Sequence, residues 1–192
     1  MRLEKAPRQK PSPACPALVI AGFNNGEIFG WDTKDWLLRR KLVLDGGPPI
    51  LSLFAVPEPA PADPNPDSSY LVMHRTSLLI GTADGMLRRY DMAEGTFSFN
   101  QRVGSGPDGG VVTISLANVS DKDGNSKGWP LVVTATAAAW YVYDIKSGRQ
   151  LYEEECACTF VSPGFSGNTC FVCDASGHFR IVDIDTIVDY WL

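Results

Sequence analysis

Several things are scarce in this chain, and each absence excludes something. Of its 192 residues only two are histidine, His74 and His178. No His-Glu-x-x-His, no Gly-x-Ser-x-Gly and no carboxylate pair with a fitting partner occurs, so no hydrolytic chemistry announces itself. An excess of positive charge is missing as well. The formal net charge of −5 runs against generic nucleic-acid binding, because phosphate contacts need a basic footprint. No apolar run approaches the roughly 18–20 residues of a membrane span. The stretch Met1 to Lys10 has no apolar segment behind it, so no secretory signal is expected. The cysteines number five, an odd count. Without a secretion signal they predict reduced thiols of a cytoplasmic protein, and the sequon Asn118-Val119-Ser120 is then without a role.

What the chain has in quantity is turn-forming residues, 18 Gly and 14 Pro, beside 44% hydrophobic residues. That composition suits an all-β domain with many turns, long enough to bury a core. One stretch occurs in four versions. The clearest runs Leu78-Leu79-Ile80-Gly81-Thr82-Ala83-Asp84-Gly85-Met86-Leu87-Arg88-Arg89-Tyr90-Asp91. It reads as strand, Asp-Gly turn, strand, then an aromatic-Asp stop. The others end at Trp31-Asp32, Tyr143-Asp144 and Val182-Asp183. Gly26, Gly85 and Gly177 hold equivalent places before their Asp, and Ala138 holds that place in the third copy. A fixed Gly between two apolar runs supplies the positive φ of a tight hairpin, expected here as a two-residue turn. The Asp after the second strand can accept backbone N–H groups just ahead, and Gly95 and Gly148, four residues later, suit a left-handed turn end.

Repeats of this kind, at roughly 40–45 residues with a Trp-Asp signature, mark propeller blades. The chain resembles the WD-repeat β-propeller family: Trp31-Asp32 matches the dipeptide, and Tyr90-Asp91, Tyr143-Asp144 and Val182-Asp183 are degraded forms of it. The resemblance covers about residues 17 to 192. The family often has Gly-His before the first strand of a blade; none occurs here, so its buried His–Asp network is not expected. The resemblance implies blades at about 17–45, 50–103, 111–155 and 157–192. Blades two, three and four have sequence for four strands each, whereas blade one lacks its innermost strand, since residues 1–16 read as a basic, Pro-rich, unstructured arm. The expected picture is a partial propeller, part of a larger ring continued by a longer chain or by other protein subunits.

The strands read as 17–22 and 27–31, Trp36 to Leu44, Ile50 to Val56, Val111 to Ala117, Thr96 to Arg102, Arg149 to Glu155 and Cys158 to Ser162, with Ile187 to Leu192 closing as a strand or one helical turn. The second strands of the blades are continuously apolar, as a strand covered on both faces should be. Arg39-Arg40-Lys41 reads as the charged outer edge of a blade. Two polar stretches, 57–69 and 121–125, read as insertions on one face of adjacent blades, a candidate shared docking surface. The second has calcium-loop flavour, but its Gly is misplaced and Val132 sits where the closing Glu belongs.

Chemistry-bearing residues are few. Cys156, Cys158, Cys170 and Cys173 have the spacing of two zinc half-sites, yet Cys170 and Cys173 fall on one strand, where an odd offset points them to opposite faces. Buried thiols packing as small apolar groups are the favoured reading, and no metal or cofactor is expected. Asp32, Asp91, Asp144 and Asp183 read as turn carboxylates, and Trp31, Tyr90 and Tyr143 as packing between blades. The resemblance implies one face shared by the Gly-hairpin turns and the loops between blades. That face would carry Asn24, Asn25, Asp45, Pro48, Pro49, Asp84, Asp108 and Ser176 as partner-binding residues. The function expected is a non-catalytic scaffold in a protein complex; the fourth repeat is similar in flavour to large WD-repeat proteins of cilia, pointing to cytoskeletal or ciliary assemblies. Two competing readings are a propeller binding a small ligand or metal through the cysteine quartet, and a basic arm docking RNA or acidic lipid.

Overall fold

A computed structural model describes residues 18–57, 76–92, 94–103, 109–120, 126–156, 158–163 and 169–189. Fourteen strands in it form four antiparallel sheets. Sheet one holds β1 (Leu18–Gly22), β2 (Glu27–Asp32) and β3 (Leu38–Val43). Sheet two holds β4 (Ile50–Pro57), β5 (Thr76–Thr82), β6 (Met86–Asp91) and β7 (Thr96–Arg102). Sheet three holds β8 (Thr113–Ser120), β9 (Ser126–Ala135), β10 (Ala139–Asp144) and β11 (Gln150–Glu155). Sheet four holds β12 (Cys158–Pro163), β13 (Thr169–Asp174) and β14 (Phe179–Asp183), followed by a short helix, α1 (Ile184–Asp189). Within each sheet the strands lie side by side in chain order. Sheet one has three strands, as expected. Sheet four also has three among the described residues, where four were expected: after β14 the chain turns into α1 instead of a further strand.

The four repeat Asp residues explain how each second hairpin strand stops. Asp32, Asp91, Asp144 and Asp183 accept the backbone N–H groups of Lys34, Glu94, Lys146 and Asp185 at 2.8–3.0 Å. In the fourth repeat this makes Asp183 the N-cap of α1, with Asp185 adding negative charge to its first turn. Gly95 and Gly148 then carry φ of 70° and 69°, each N–H bonded back to the repeat Asp carbonyl. The first repeat places Trp36 there, with φ 57° and the same bond to Asp32 O at 2.8 Å. Trp36 is therefore a turn residue, and β3 starts at Leu38 rather than at Trp36.

The glycine hairpins differ from expectation in one respect. Phe23 N–H bonds Glu27 O, while Gly26 N–H bonds Phe23 O. The loop is thus three residues, a turn followed by a left-handed Gly, rather than two. Gly26, Gly85 and Gly177 take φ of 77°, 78° and 85°. In the third copy Ala138 is not left-handed. There the Thr136 hydroxyl accepts the N–H groups of Ala138 and Ala139, a side-chain turn that needs no positive φ.

Three apolar cores lie between successive sheets. Ile20, Ile28 and Leu42 of sheet one meet Leu78, Ile80 and Tyr90 of sheet two. Leu79, Leu87 and Phe99 of sheet two meet Val132, Tyr141 and Tyr143 of sheet three. Leu131, Val133, Trp140 and Val142 of sheet three meet Val161, Cys170, Val172 and α1. The inner strands β1, β4, β8 and β12 touch in succession. Central strands β5 and β10 are buried almost end to end. β1 is not: one of its faces is open, which overturns the expectation that every second strand is covered on both sides.

Three substitutions test this turn chemistry. Gly26→Ala places a Cβ 2.7 Å from the Gly47 backbone at φ +77°, so a loss of about 2–3 kcal/mol in urea unfolding is expected. Gly177→Ala meets open space and should lose only about 1 kcal/mol, the conformational term. Trp36→Gly relieves a left-handed bulky residue that is 67% exposed and should stabilise by up to about 1 kcal/mol in the same assay.

Candidate functional site

The residues expected to share a face are brought there by the backbone. The first hairpin turn, the loop from β3 to β4 and the second hairpin turn are laced together. Leu44 N–H bonds Gly26 O at 3.0 Å, Ile50 N–H bonds Phe23 O at 3.0 Å, and Ala83 N–H bonds Pro49 O at 2.9 Å. Gly47 sits directly against Gly26: a Cβ on Gly26 would meet Gly47 Cα at 2.7 Å, and one on Gly47 the Asn25 carbonyl oxygen at 3.0 Å. The pattern continues: Val103 N–H bonds Gly85 O, Val111 N–H bonds Thr82 O, and Gly109 lies against Thr136 of the third hairpin turn.

Asn24, Asn25, Asp45, Pro49 and Asp84 are therefore exposed on one continuous turn face, with Pro48 half-buried among them. Ser176 is exposed in the equivalent turn of sheet four. Asp108 lies outside the described residues. The stretches read as insertions also fall outside them, apart from Pro57. They join β4 to β5 and β8 to β9, at the strand ends away from the glycine turns.

Asn25, Asp84 and Ser176 on this face are held by local bonds. Asn25 Nδ2 donates to Glu27 Oε2 at 2.9 Å, and its Oδ1 accepts the Glu27 N–H at 3.2 Å. Lys41 bonds Glu27 at 2.7 Å; with Asn25 it holds the Glu27 carboxyl below its usual range. Asp84 bonds Thr82 and Arg88, and Arg88 Nη1 donates to Thr82 Oγ1 at 2.6 Å. Partial burial works against ionisation of Asp84, but these bonds outweigh it and its carboxyl titrates low. In the fourth turn Asp174 accepts Ser176 Oγ–H and the N–H groups of Ser176 and His178, which together lower it to about 2.

Of the repeat aromatics expected to pack between sheets, Tyr143 and Tyr90 do so and Trp31 does not. Tyr143 is fully buried and its hydroxyl meets Gln150 at 3.0 Å. Tyr90 packs on the core between sheets one and two and against Phe97. Trp31 is half-buried and edge-on to Phe29, on the face of sheet one that no sheet covers among the described residues. Cys170 is buried in the core beside sheet three, whereas Cys173 lies half-exposed on the opposite face of β13. The two cannot share an ion. Cys156 packs partly on that core, and nothing is described of the Cys158 side chain.

Two features escaped the sequence reading. Arg88, only 9% exposed, is tied to the turn by Thr82 and Asp84; an Arg four residues after an acid, inside an apolar strand, was the available signal. Glu154 is the other. Its carboxylate receives Trp140 Nε1–H at 3.0 Å, the Tyr152 hydroxyl at 3.2 Å and Arg180 of sheet four at 2.6 Å. Partial burial would raise this carboxyl, yet Arg180 and Trp140 pull it down. Its partners come from three strands, so only the folded chain shows the cluster. An exposed apolar run, Trp36-Leu37-Leu38, lies at the opposite end of sheet one from the glycine turns.

Glu154→Ala leaves the buried Trp140 N–H without its acceptor and should cost about 1–3 kcal/mol in denaturant unfolding. Because Asp174 is depressed in the folded chain, the stability it adds is present above its ordinary value of 3.8 and is lost as pH falls through about 2. Carbon-detected NMR of the Asp174 carboxyl should show a midpoint near 2, and Ser176→Ala should raise it.

No family model matches the chain, and no curated protein matches it. Among solved structures it is similar to the crystal structure of the computationally designed Ika4 protein, with a TM-score of 0.56 over 87% of this chain and 85% of that one. At 18% identity the likeness shows a shared fold and nothing further.

Proposed function

We propose that the chain is a non-catalytic scaffold, a β-propeller segment of WD-repeat type that binds other protein subunits in a larger cytoplasmic assembly. The observation that carries this reading is the lacing of hairpin turns to inter-sheet loops. It presents Asn24, Asn25, Asp45, Pro49 and Asp84 as one rigid surface. Four repeat Asp residues used alike as turn carboxylates support the repeat reading. So do three cores between successive sheets and the succession of inner strands.

A rigid backbone surface on which Asn25 and Asp84 are already bonded to neighbours suits recognition, because little of their side-chain entropy is lost when a partner docks. The carboxylates support the same reading. Asp84 and Asp174 are held ionised by local donors, whereas an acid–base catalyst needs a value near the working pH. The similarity of the fourth repeat to ciliary WD-repeat proteins makes cytoskeletal and ciliary assemblies the first place to look for subunits.

The double variant Asn24→Arg/Asp45→Arg changes two exposed side chains on the turn face. Its melting temperature should stay within about 2 °C of the parent. Co-purification of protein subunits from the native source should fall at least tenfold. Unchanged co-purification would reject the turn face as the docking surface, and an electron-microscopy structure of the assembly without radially arranged sheets would reject the propeller.

A further inference from the structure

Among the described residues, sheets one and four each keep one face uncovered, and those two faces carry the positions that pair between the other sheets. Counting back from the repeat Asp shows it. Trp31 holds the place of Tyr90 and Tyr143, both of which pack against the preceding sheet. Phe29 holds the place of Tyr141, which does the same. In sheet one nothing precedes them among the described residues. At the other end, Phe179 holds the place of Leu87 and Trp140, and Ile181 that of Val142; all three pack against the following sheet. Yet Phe179 is 60% and Ile181 65% exposed.

The open face of sheet one also carries Val19 and Val43, and the Glu27–Lys41 ion pair crosses it with Lys41 Nζ 5.2 Å over the Phe29 ring; that of sheet four is apolar around Phe179 and Ile181. On sheet one, Val19 pairs with Trp31 across the strands, and Phe29 is flanked by Phe23 at 5.1 Å and Trp31 at 5.7 Å. On sheet four, Phe171 pairs with Ile181 and stacks on Phe179 at 5.3 Å. Isolated exposed apolar residues need no explanation, but contiguous faces of this kind mark an interface.

We infer that the partner covering them is a second copy of this chain. The uncovered face of sheet four would pack on the uncovered face of sheet one of the other copy, and the reverse, closing a two-fold ring of eight sheets. The inference rests on the propeller reading above and names the subunit that completes it. The chain contains three contacts of the same kind, each joining the following-side positions of one sheet to the preceding-side positions of the next, so a fourth between copies continues an established interface. Closure within one chain is not what the structure holds, since Phe179, Ile181 and Val19 are all open to solvent. Eight sheets is within the range that propellers adopt. The area suffices as well. Three strands about 4.8 Å apart and about six residues long present roughly 280 Å² of plane per face. With side-chain relief about doubling that, four faces bury on the order of 2,000 Å², the scale of an obligate homodimer. The contact is heterologous, so it leads to a ring only because the second copy returns it.

The test is the native mass of the full chain at tens of micromolar, by analytical ultracentrifugation. The expected result is twice the 20.9 kDa chain mass. Ile181→Glu on one face, and Val43→Glu or Val19→Glu on the other, should each give monomers with unchanged circular dichroism, because all three positions are exposed. An equimolar mixture of Ile181→Glu and Val43→Glu should regain a dimer through its one intact contact, the signature of head-to-tail pairing. A monomeric parent overturns the inference, as does a dimer that survives either single-face variant, or a stoichiometric complex with a different protein on these faces. A monomer whose sheets are still radial in a crystal would leave the scaffold reading standing; sheets that are not radial would remove that reading itself.

Discussion

Everything in this structure depends on covering both faces of each sheet. A strand such as β5, Thr76–Thr82, presents apolar side chains to both sides, and a sheet built around it is stable only if another sheet lies on each. The chain meets that demand three times, at the cores joining sheets one to two, two to three and three to four. The demand also explains the polarity gradient across each sheet. Outer strands such as β3 and β7, at sheet edges, carry Arg, Lys, Ser, Asn and Gln, where charge discourages strand addition.

The turn chemistry follows from the same packing. Sheets about 10 Å apart must be joined by short loops that lie against the hairpin turns of their neighbours. Gly47 against Gly26, and Gly109 against Thr136, are places where a Cβ would collide. The side chains that remain on that surface are short polar residues and prolines. Asn25 and Asp84 are fixed by local bonds, and Glu27 beside them by its ion pair with Lys41. A surface so constrained is suited to being recognised. The polar links that cross between sheets, Arg180 to Glu154 and Arg89 to the Ile145 carbonyl, fix the sheets relative to one another at their rims, where water competes and apolar packing is thinner.

Much of this is legible in the sequence. The four repeat Asp residues, Gly26, Gly85 and Gly177, and Gly95 and Gly148 could be read because each does a local job: φ sign and N–H capping are decided within four or five residues. The family resemblance implied one face for Asn24, Asp45, Pro49 and Asp84, and backbone bonds lace together the turns and loop that carry them. What failed was also local in origin but ambiguous in sequence. A two-residue and a three-residue glycine loop share the same Asn-Gly or Asp-Gly letters, and the bond from Gly26 to Phe23 O selects the second. Trp36 reads as strand by propensity, yet the Asp32 turn takes it first and bends it left-handed. Val182-Asp183-Ile184-Asp185 reads as strand going into turn, but Asp183 caps a helix because Ile184 and Ile187 are one turn apart and reach the core of sheet three.

The sequence by itself determined the strand order, the places of the left-handed glycines and which residues alternate to which side of each sheet, because a two-residue period and a left-handed Gly are properties of the chain alone. Which of those sides are covered was decided only by the tertiary structure. Trp31 and Tyr143 occupy the same repeat position and carry the same message in sequence. One is sealed between sheets and the other faces outward, and the difference lies entirely in whether a neighbouring sheet is present. The Glu154 cluster has the same origin, since it draws Trp140, Tyr152 and Arg180 from three strands and two sheets. Burial and long-range pairing are set by the arrangement of elements, so no local pattern can announce them.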